Sequence, residues 1–324
     1  MKILSSKDER FMIKVVDMYY KDEMSQDAIS KKLNISRATV SRTLSRAKKE
    51  GIVKIQINYP SENTIDLEKS IEKEFGLKEV LIAVETEGMN KDYAVSVQAS
   101  EYLARILKNN MKLGINWGRS MKNLITTFEA DGYNKSVNVK GVEVIPFLGT
   151  NNSFDEKSES LRLTYSNFLA IKMCQLINAK NYNLSAPMVV SNSKAKEVIM
   201  NEPDVKGVLE KAKTCDVAIL GMGPIDKSGS LFILMEDGEE IADKLRQKNS
   251  VGEVIGRAYD KNGEPIHSEL DERIIGVTLE ELKEIPLKIG VAYGNHKVES
   301  IKAGLKGHLI DVLITDRETA EKLI

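Results

Sequence analysis

Residues 25–50 read SQDAISKKLNISRATVSRTLSRAKKE, a pattern that predicts two short helices joined by a tight turn. Ser25 and Ser36 belong to a residue type that caps helix N-termini. Asn34 lies between the helices and tolerates the left-handed backbone conformation that a tight turn requires. Apolar residues four positions apart would face inward on each helix, namely Ile29 with Leu33 and Val40 with Leu44. The stretch therefore predicts a helix-turn-helix.

The positions of the second helix that stay outside are basic or hydroxylic. In helix-turn-helix proteins, the first residues of the second helix meet base edges in the major groove, while basic and hydroxyl groups hold phosphates. We therefore predict that DNA is bound by Ser36, Arg37, Thr39, Ser41, Arg42 and Arg46. The alternative is a solvated basic helical hairpin with no role in nucleic-acid binding.

Charge is distributed unevenly along the chain. Residues 1–60 carry 13 Lys plus Arg and 7 Asp plus Glu, whereas the remaining 264 residues carry 34 and 41. This positive excess at one end favours attraction to DNA phosphates there. Gly51 would end the second helix, and IVKIQINY at 52–59 alternates as a strand does. We therefore predict a winged helix-turn-helix DNA-binding domain over residues 1–60.

Composition argues against several other classes of protein. Cys174 and Cys215 have no CxxC or Cys/His spacing, and His267, His296 and His308 lack metal-ligand spacing, so we predict neither a disulfide framework nor a metal or cofactor. No apolar run approaches the roughly 20 residues of a membrane span, and the N-terminus does not resemble a signal peptide. We expect a cytoplasmic protein with no membrane partner.

Beyond Pro60 the pattern changes. Residues 61–78 predict a connector helix, with Leu67, Ile71 and Phe75 on one face. From residue 79 to residue 324, apolar runs that end in glycine or polar residues alternate with amphipathic helices, which is typical of a parallel α/β sheet. The predicted strands lie at 80–85, 112–117, 141–149, 217–223, 289–294 and 312–316, and the predicted helices around 92–109, 120–130, 160–178, 238–248 and 296–306.

Three predicted strand ends carry residues suited to ligand binding. Ligands of such sheets bind at the carboxyl ends of the strands. In GINWGRSM at 114–121, a glycine turn, a hydroxyl and an arginine open a helix, and a helix N-terminus favours a phosphate. LGTNNS at 148–153 suits sugar hydroxyls but equally a plain connection. In YGNHK, Lys297 opposes the dipole of its helix, which makes more sense if an anion shares the site.

The order of these segments resembles the SorC family of bacterial transcriptional regulators, which join a helix-turn-helix to a phosphosugar-sensing domain related to sugar-phosphate isomerases and deaminases. The resemblance spans nearly the whole chain and is carried by SQDAISKKLNISRATVSRTL, GINWGRSM, CDVAILGMG, VGEVIGRAYDKNGEPI, RIIGVTLEELKEIP, VAYGNHKVESIKAGLKG and LITDRETAEKLI. It implies a homodimeric or homotetrameric regulator of a carbohydrate-utilisation operon, whose affinity for operator DNA changes when a phosphorylated sugar binds.

The resemblance also implies roles for single residues. The family's phosphate-receiving loop falls on Gly118, Arg119 and Ser120, where Arg119 replaces the small or hydroxyl residue often found there. Lys297 matches a lysine that points at the ligand, and Glu253 matches an acidic residue that accepts hydrogen bonds from sugar hydroxyls. The other implied effector-site residues are Gly221 and Gly223, and also Gly149, Thr150 and Asn151, which stand where many members have a Gly-Gly turn.

Two other classes of function stay open at this point. An isomerase-like or deaminase-like enzyme would need a positioned carboxylate, and Asp226 is available in PIDKSGS. The acid-rich or Asp-Gly-His pattern that such enzymes place after this strand is absent, however, so binding without turnover is favoured and no catalytic residue is predicted. An architectural DNA-binding protein would bind no phosphosugar. Glu253 could also pair with Arg257 if that segment were helical, although VIGRAY favours a strand.

Overall fold

The computed structural model describes residues 6–54, 63–86, 88–150, 163–226, 229–233, 235 and 237–324. The chain divides into two compact units, one up to residue 61 and one from residue 62 onward.

The first unit contains three helices within its described residues: α1 (Ser6–Tyr20), α2 (Gln26–Leu33) and α3 (Arg37–Lys49). Ser25 caps α2 by accepting a hydrogen bond from Ala28 N, and Asn34 ends α2 with φ 51°. Ser36 caps α3 by accepting from Thr39 N at 3.1 Å. The buried apolar side chains that hold the helices together are Val15, Met18, Ile29, Val40 and Leu44. The helix-turn-helix predicted from the sequence is therefore confirmed.

The predicted wing strand at 52–59 is only partly within the described residues. Residues 52 and 53 form a bend and residue 54 has no regular structure, so none of the three lies in a strand. Residues 55–59 lie outside the described residues, so the wing stays a prediction.

The second unit is an α/β structure. Its strands are β1 (Glu79–Ala83), β2 (Lys112–Ile115), β3 (Glu143–Pro146), β4 (Lys180–Asn181), β5 (Val217–Leu220), β6 (Met222–Pro224), β7 (Ser250–Val254), β8 (Arg257–Asp260), β9 (Leu287–Val291) and β10 (Val312–Asp316). Its α-helices are α4 (Ile65–Phe75), α5 (Lys91–Ile106), α6 (Arg119–Ala130), α7 (Tyr133–Ser136), α8 (Ser166–Ile177), α9 (Ser193–Asn201), α10 (Pro203–Ala212), α11 (Ser230–Ile233), α12 (Gly238–Gln247), α13 (Leu279–Lys283), α14 (Val298–Lys306) and α15 (Arg317–Glu321).

Among the described residues, seven strands form one parallel sheet in the order β1-β10-β9-β5-β2-β3-β4. From β2 the chain adds β3 and then β4 on one side. It then returns to add β5, β9 and β10 on the other side. The strand order therefore reverses between β2 and β5, and a crevice at their carboxyl ends is the usual ligand position in open α/β sheets.

Both faces of this sheet are buried. Along β5, Val217 and Ile219 belong to one apolar core, and Ala218 and Leu220 belong to another. This alternation follows from the two-residue period of a strand. Helices α5, α6 and α8 supply the first core, and α4, α13 and α14 supply the second. The parallel α/β architecture predicted from the sequence is confirmed.

Helix α4 lies where the sequence predicted a connector. The apolar face of this helix packs within the second unit, since Ile71 and Phe75 are buried in the same core as Val80 and Ile82 of β1. The carboxylate of Glu68 also accepts a hydrogen bond from Ile82 N at 3.0 Å. The helix is thus attached to the sheet through both apolar and polar contacts.

The apolar run at 217–223 was predicted as one strand, and this expectation was wrong. Gly221 separates β5 from β6, and β6 pairs antiparallel with β7 instead of continuing in the parallel sheet. Strand β7 in turn pairs antiparallel with β8. This second sheet, in the order β6-β7-β8, starts at the carboxyl end of β5 and brings Glu253 to the same place.

Candidate functional site

A cleft lies at the carboxyl ends of β2 and β5, where the strand order reverses. It encloses about 480 Å³ of space, part of which is open to solvent. Its lining comes from four segments that are distant in sequence: Asn116 to Ser120, Gly221 to Pro224 with Gly229, Glu253, and His296 with Lys297. Of the predicted effector-site residues, the structure brings together Gly118, Arg119, Ser120, Gly221, Gly223, Glu253 and Lys297.

The N-terminus of α6 forms one wall of the cleft. Gly118 precedes the helix with φ 112° and ψ 172° and provides no side-chain cap. Residues that carry a side chain rarely adopt this backbone conformation, so glycine is required here. The first N–H groups of a helix have no partner within it, and they carry partial positive charge. Ser120 lies in this first turn, and it is buried, 6% exposed. This end of α6 can therefore receive an anion.

Two cations lie beside this helix end. Arg119 and Lys297 both line the cleft, and within the described residues neither forms an ion pair with a carboxylate. Burial lowers the pKa of Lys297, and the positive charge of Arg119 lowers it further, while Glu253 acts in the opposite direction. The pKa of His296 is lowered by burial and by Lys297. An anion bound here would relieve the repulsion between these groups.

Asp316 stabilises the backbone of the turn that carries Lys297. Gly294 N donates to Asp316 Oδ2 at 3.1 Å and to Thr319 Oγ1 at 2.8 Å. Burial alone would raise the pKa of Asp316, but hydrogen bonds from Thr319 and Gly294 bring it below its ordinary value. Asp316 therefore stays ionised and fixes the backbone of the turn.

Glu253 lies on β7 directly opposite Gly223 of β6. Its Oε2 accepts a hydrogen bond from Gly256 N at 3.0 Å. A Cβ atom on residue 223 would lie 2.7 Å from Oε1 of Glu253, so the glycine leaves room for the carboxyl group. Burial raises the pKa of Glu253 to about 7. Near neutral pH the group can therefore accept a hydrogen bond from a ligand hydroxyl or donate one to its oxygen. Because Glu253 lies in a strand, it does not pair with Arg257 one helical turn further on, which was the alternative that the sequence left open.

This raised pKa gives a prediction for stability. Below about pH 4.5 the carboxyl is protonated in both the folded and the unfolded chain; as pH rises through about 7, the folded chain must bury a charge. The contribution of Glu253 to the free energy of unfolding is therefore fully present below about pH 4.5. It falls by on the order of 2 to 3 kcal/mol as the pH rises from there through about 7. Glu253→Gln should flatten this part of the pH profile in urea unfolding. Glu264→Gln is the control, because it changes an exposed carboxyl outside the cleft and should leave the pH profile as in wild type. If the free energy of unfolding depends on pH equally in wild type and in Glu253→Gln, the prediction is contradicted.

Gly149 and Thr150 are not among the residues that line this cleft. The chain does not turn after β3 but continues between two segments, since Gly149 N donates to Ile275 O and Thr150 N donates to Ala186 O. A Cβ on residue 149 would lie 2.5 Å from the carbonyl oxygens of Ala186 and Pro187, so this glycine permits close packing. Asn151 lies outside the described residues.

Sequence reasoning missed several polar residues of the site. Asn116 lines the cleft directly after β2, and it is 1% exposed. A second opening shares the cations of the cleft and adds further polar residues: Asp92, Lys122, Asn123, Thr164 and Tyr293. The position of Asn116 at the carboxyl end of a parallel strand was a signal that could have found it. Asp92 and Tyr293 carry no comparable signal, because only the tertiary structure places them there.

The predicted DNA-binding residues lie on or beside α3. Arg37, Ser41, Arg42 and Arg46 are exposed, as is the capping residue Ser36, and Thr39 is partly buried. Arg37 lies 3.6 Å from Asp27, and Arg46 lies 2.8 Å from Glu50. Arg42 donates only to its own helix, from Nε to Ala38 O at 3.2 Å. Within the described residues Arg42 forms no ion pair, so its guanidinium is the most readily available for a base or a phosphate.

Comparison with known proteins covers both units. Residues 59–324 match the family described as "Putative sugar-binding domain", and residues 14–50 match "Sigma-70, region 4". The chain belongs to the SorC family. It is 28% identical to the sorbitol operon regulator of Klebsiella pneumoniae over 99% of both chains. It is 30% identical to the deoxyribonucleoside regulator of Bacillus subtilis (strain 168) over 98% of this chain and 97% of that one.

Solved structures agree with this assignment. The full-length sorbitol operon regulator SorC of Klebsiella pneumoniae matches with a TM-score of 0.70 and 27% identity, over 98% of this chain and 99% of that one. A DeoR family transcriptional regulator from Listeria monocytogenes matches with a TM-score of 0.70 and 27% identity, over 81% of this chain and 99% of that one. These relatives are regulators, and the resemblance to the SorC family of transcriptional regulators that the sequence predicted is confirmed.

Membership of this family implies DNA and a sugar as partners of the chain. Of the described helices, none has the length and apolar composition that crossing a bilayer requires. In the part of the chain that the structure describes, no three His, Cys, Asp or Glu side chains come together in a way that could hold a metal ion.

Proposed function

We propose that this SorC family member is a bacterial regulator of a carbohydrate-utilisation operon, and that its affinity for operator DNA changes when a phosphorylated sugar binds in the cleft. The observation that carries this proposal is the convergence on the uncapped N-terminus of α6 of two cations, Arg119 and Lys297, that form no ion pair with any described carboxylate. A neutral sugar would leave their repulsion uncompensated, whereas a phosphate would accept hydrogen bonds from all of these groups.

The remainder of the cleft suits the carbon chain of a sugar. Glu253 presents a buried carboxyl with a pKa of about 7, and the glycine turn of Gly221 and Gly223 leaves space beside it. Two relatives, the sorbitol operon regulator and the deoxyribonucleoside regulator, are named for a sugar alcohol and for a compound that contains a sugar, which supports a ligand of this class.

The DNA-binding half acts in the cytoplasm as part of a homodimer or homotetramer. One short helix such as α3 contacts too few base pairs for useful specificity, and paired half-sites supply the rest. The ligand changes operator affinity by favouring one arrangement of subunits. By linkage, it does so only as far as it binds the two arrangements with different affinity.

Thermal-shift titration tests the sensing half directly. Purified protein is heated with inorganic phosphate, with pentose and hexose phosphates, and with the corresponding free sugars. At least one phosphorylated sugar should raise the melting temperature, and its unphosphorylated form should do so far less. The same compound should shift the binding of a DNA fragment obtained by selection from a random pool. Stabilisation by a free sugar alone would contradict the proposed phosphate site, and steady turnover of any sugar phosphate would contradict a role without catalysis.

Arg42→Ala tests the DNA-reading half. If the guanidinium reaches a guanine, the substitution should weaken operator binding by about 1 to 3 kcal/mol and relax base preference at one position. Lys54→Ala, which removes a positive charge beyond α3, is the matched control and should lower affinity without changing sequence preference. Fluorescence anisotropy at fixed salt concentration measures both effects. Unchanged affinity and preference in the Arg42 variant would remove this residue from the reading surface.

A further inference from the structure

Asn116 holds a buried polar atom that nothing in the described protein satisfies. The residue directly follows β2 and is 1% exposed. Its backbone N donates to Ile219 O at 3.1 Å, and its side-chain Nδ2 donates to Gly221 O at 3.4 Å. Its Oδ1, in contrast, has no hydrogen-bond partner within the described residues.

The orientation of this side-chain amide follows from its neighbour. The carbonyl oxygen of Gly221 can only accept a hydrogen bond, so the amide nitrogen of Asn116 must face it. Rotating the amide would place two acceptors against each other and leave a donor unpaired. The amide oxygen is therefore the atom left without a partner in the part of the chain that the structure describes.

Asn116 lines the same cleft as the anion-binding groups. It lies two residues before Gly118, and Glu253 lines the cleft as well. A buried carbonyl oxygen without a partner is unfavourable, and its occurrence at a ligand cleft indicates a donor on the ligand. An anion cannot fill this role, because phosphate oxygens at neutral pH are chiefly acceptors. The donor must therefore lie on another part of the ligand.

We propose that Asn116 is a specificity-determining residue, whose side-chain oxygen accepts a hydrogen bond from a hydroxyl group on the carbon chain of the phosphorylated ligand. This inference rests on the function proposed above. It adds that the site distinguishes a polyhydroxylated phosphate ester from inorganic phosphate through a contact separate from the cations. Because the contact to the hydroxyl comes from the side chain of Asn116 and the charges come from Arg119 and Lys297, the two contributions can be removed one at a time by substitution.

The experiment compares inorganic phosphate with a panel of pentose and hexose phosphates by isothermal titration calorimetry. Asn116→Leu keeps a side chain of similar size but removes the acceptor, and Asn116→Ala is the second variant in case the first does not fold. Asn134→Leu is the matched control, since Asn134 Oδ1 is also buried and has no partner among the described residues, but Asn134 does not line the cleft.

For the best sugar phosphate of the panel, both Asn116 variants should bind about tenfold or more weakly than wild type, and Asn134→Leu should bind as wild type does. Affinity for inorganic phosphate should stay unchanged in all three variants. If the Asn116 variants bind the sugar phosphate as tightly as wild type, or lose phosphate and sugar phosphate equally, this inference is overturned while the phosphate site stands. If wild type binds no member of the panel, the proposed function fails and this inference fails with it.

Discussion

Lys297→Met is expected to remove the response to the effector while leaving the affinity for operator DNA intact. The substitution keeps the apolar stem of the side chain and deletes the charge that lies in the cleft beside Arg119 and the start of α6. The loss of a desolvated, charge-assisted contact to phosphate should weaken effector binding at least about 30-fold, equivalent to about 2 kcal/mol. Calorimetric titration with the sugar phosphate that stabilises wild type measures the loss, and anisotropy with operator DNA measures what is retained.

Lys306→Met is the matched control for this prediction. Lys306 is exposed in the last turn of α14, the helix that Lys297 precedes, and it does not line the cleft. Its substitution removes the same charge from the same part of the chain and should change neither effector binding nor its influence on DNA. A normal effector response in Lys297→Met would place the anion elsewhere.

Arg257→Met is expected to have the largest effect on stability. Arg257 is 2% exposed. Its guanidinium donates to the backbone carbonyls of four residues, Asp271, Ile274, Gly276 and Val277. It also donates to the carboxylate of Asp271 at 2.7 Å. A methionine would fill much of the space but leave these acceptors without the donors of Arg257, and among the backbone oxygens only that of Asp271 would keep another described donor, Lys196 Nζ at 3.0 Å. The free energy of unfolding should fall by about 3 to 5 kcal/mol. Chemical denaturation followed by circular dichroism measures the change.

An exposed arginine provides the comparison for Arg257. Arg317 pairs with Glu321 one turn along α15, at a position where both side chains are about half exposed. Arg317→Met should change the free energy of unfolding by no more than about 0.5 kcal/mol, because exposed ion pairs contribute little. Similar losses for the two variants would mean that the carbonyl contacts of Arg257 do not stabilise the fold.

The sequence predicted those parts of the site whose signals are local. Gly118 and Ser120 follow a buried strand and open a helix, and both features can be read from neighbouring residues. The same holds for Ser25, Asn34 and Ser36, whose capping and turn preferences fix the helix-turn-helix without reference to the rest of the chain. Such elements are predictable because the interactions that determine them span only a few residues.

Other parts depended on contacts between distant segments. The run at 217–223 looks like one strand, but Gly221 divides it because β6 pairs with β7, thirty residues further on. Gly149 has the appearance of a ligand-binding glycine, yet it is required because the backbone at 186–187 approaches closely. Hydrophobic periodicity carries no information about such partners. The position of Asn116 after a strand is a local signal, but the lack of a partner for its Oδ1 among the described residues depends on distant neighbours and cannot be read from the sequence.

The reversal of strand order between β2 and β5 has a consequence for how a bound ligand acts on the polypeptide. The cleft draws its walls from segments near residues 118, 222, 253 and 297, and a ligand that touches all of them joins parts of the chain that are more than a hundred residues apart. It would serve as a removable noncovalent cross-link, holding the antiparallel β6-β7-β8 sheet against the parallel one. Binding would therefore restrict the motion of these two sheets relative to each other.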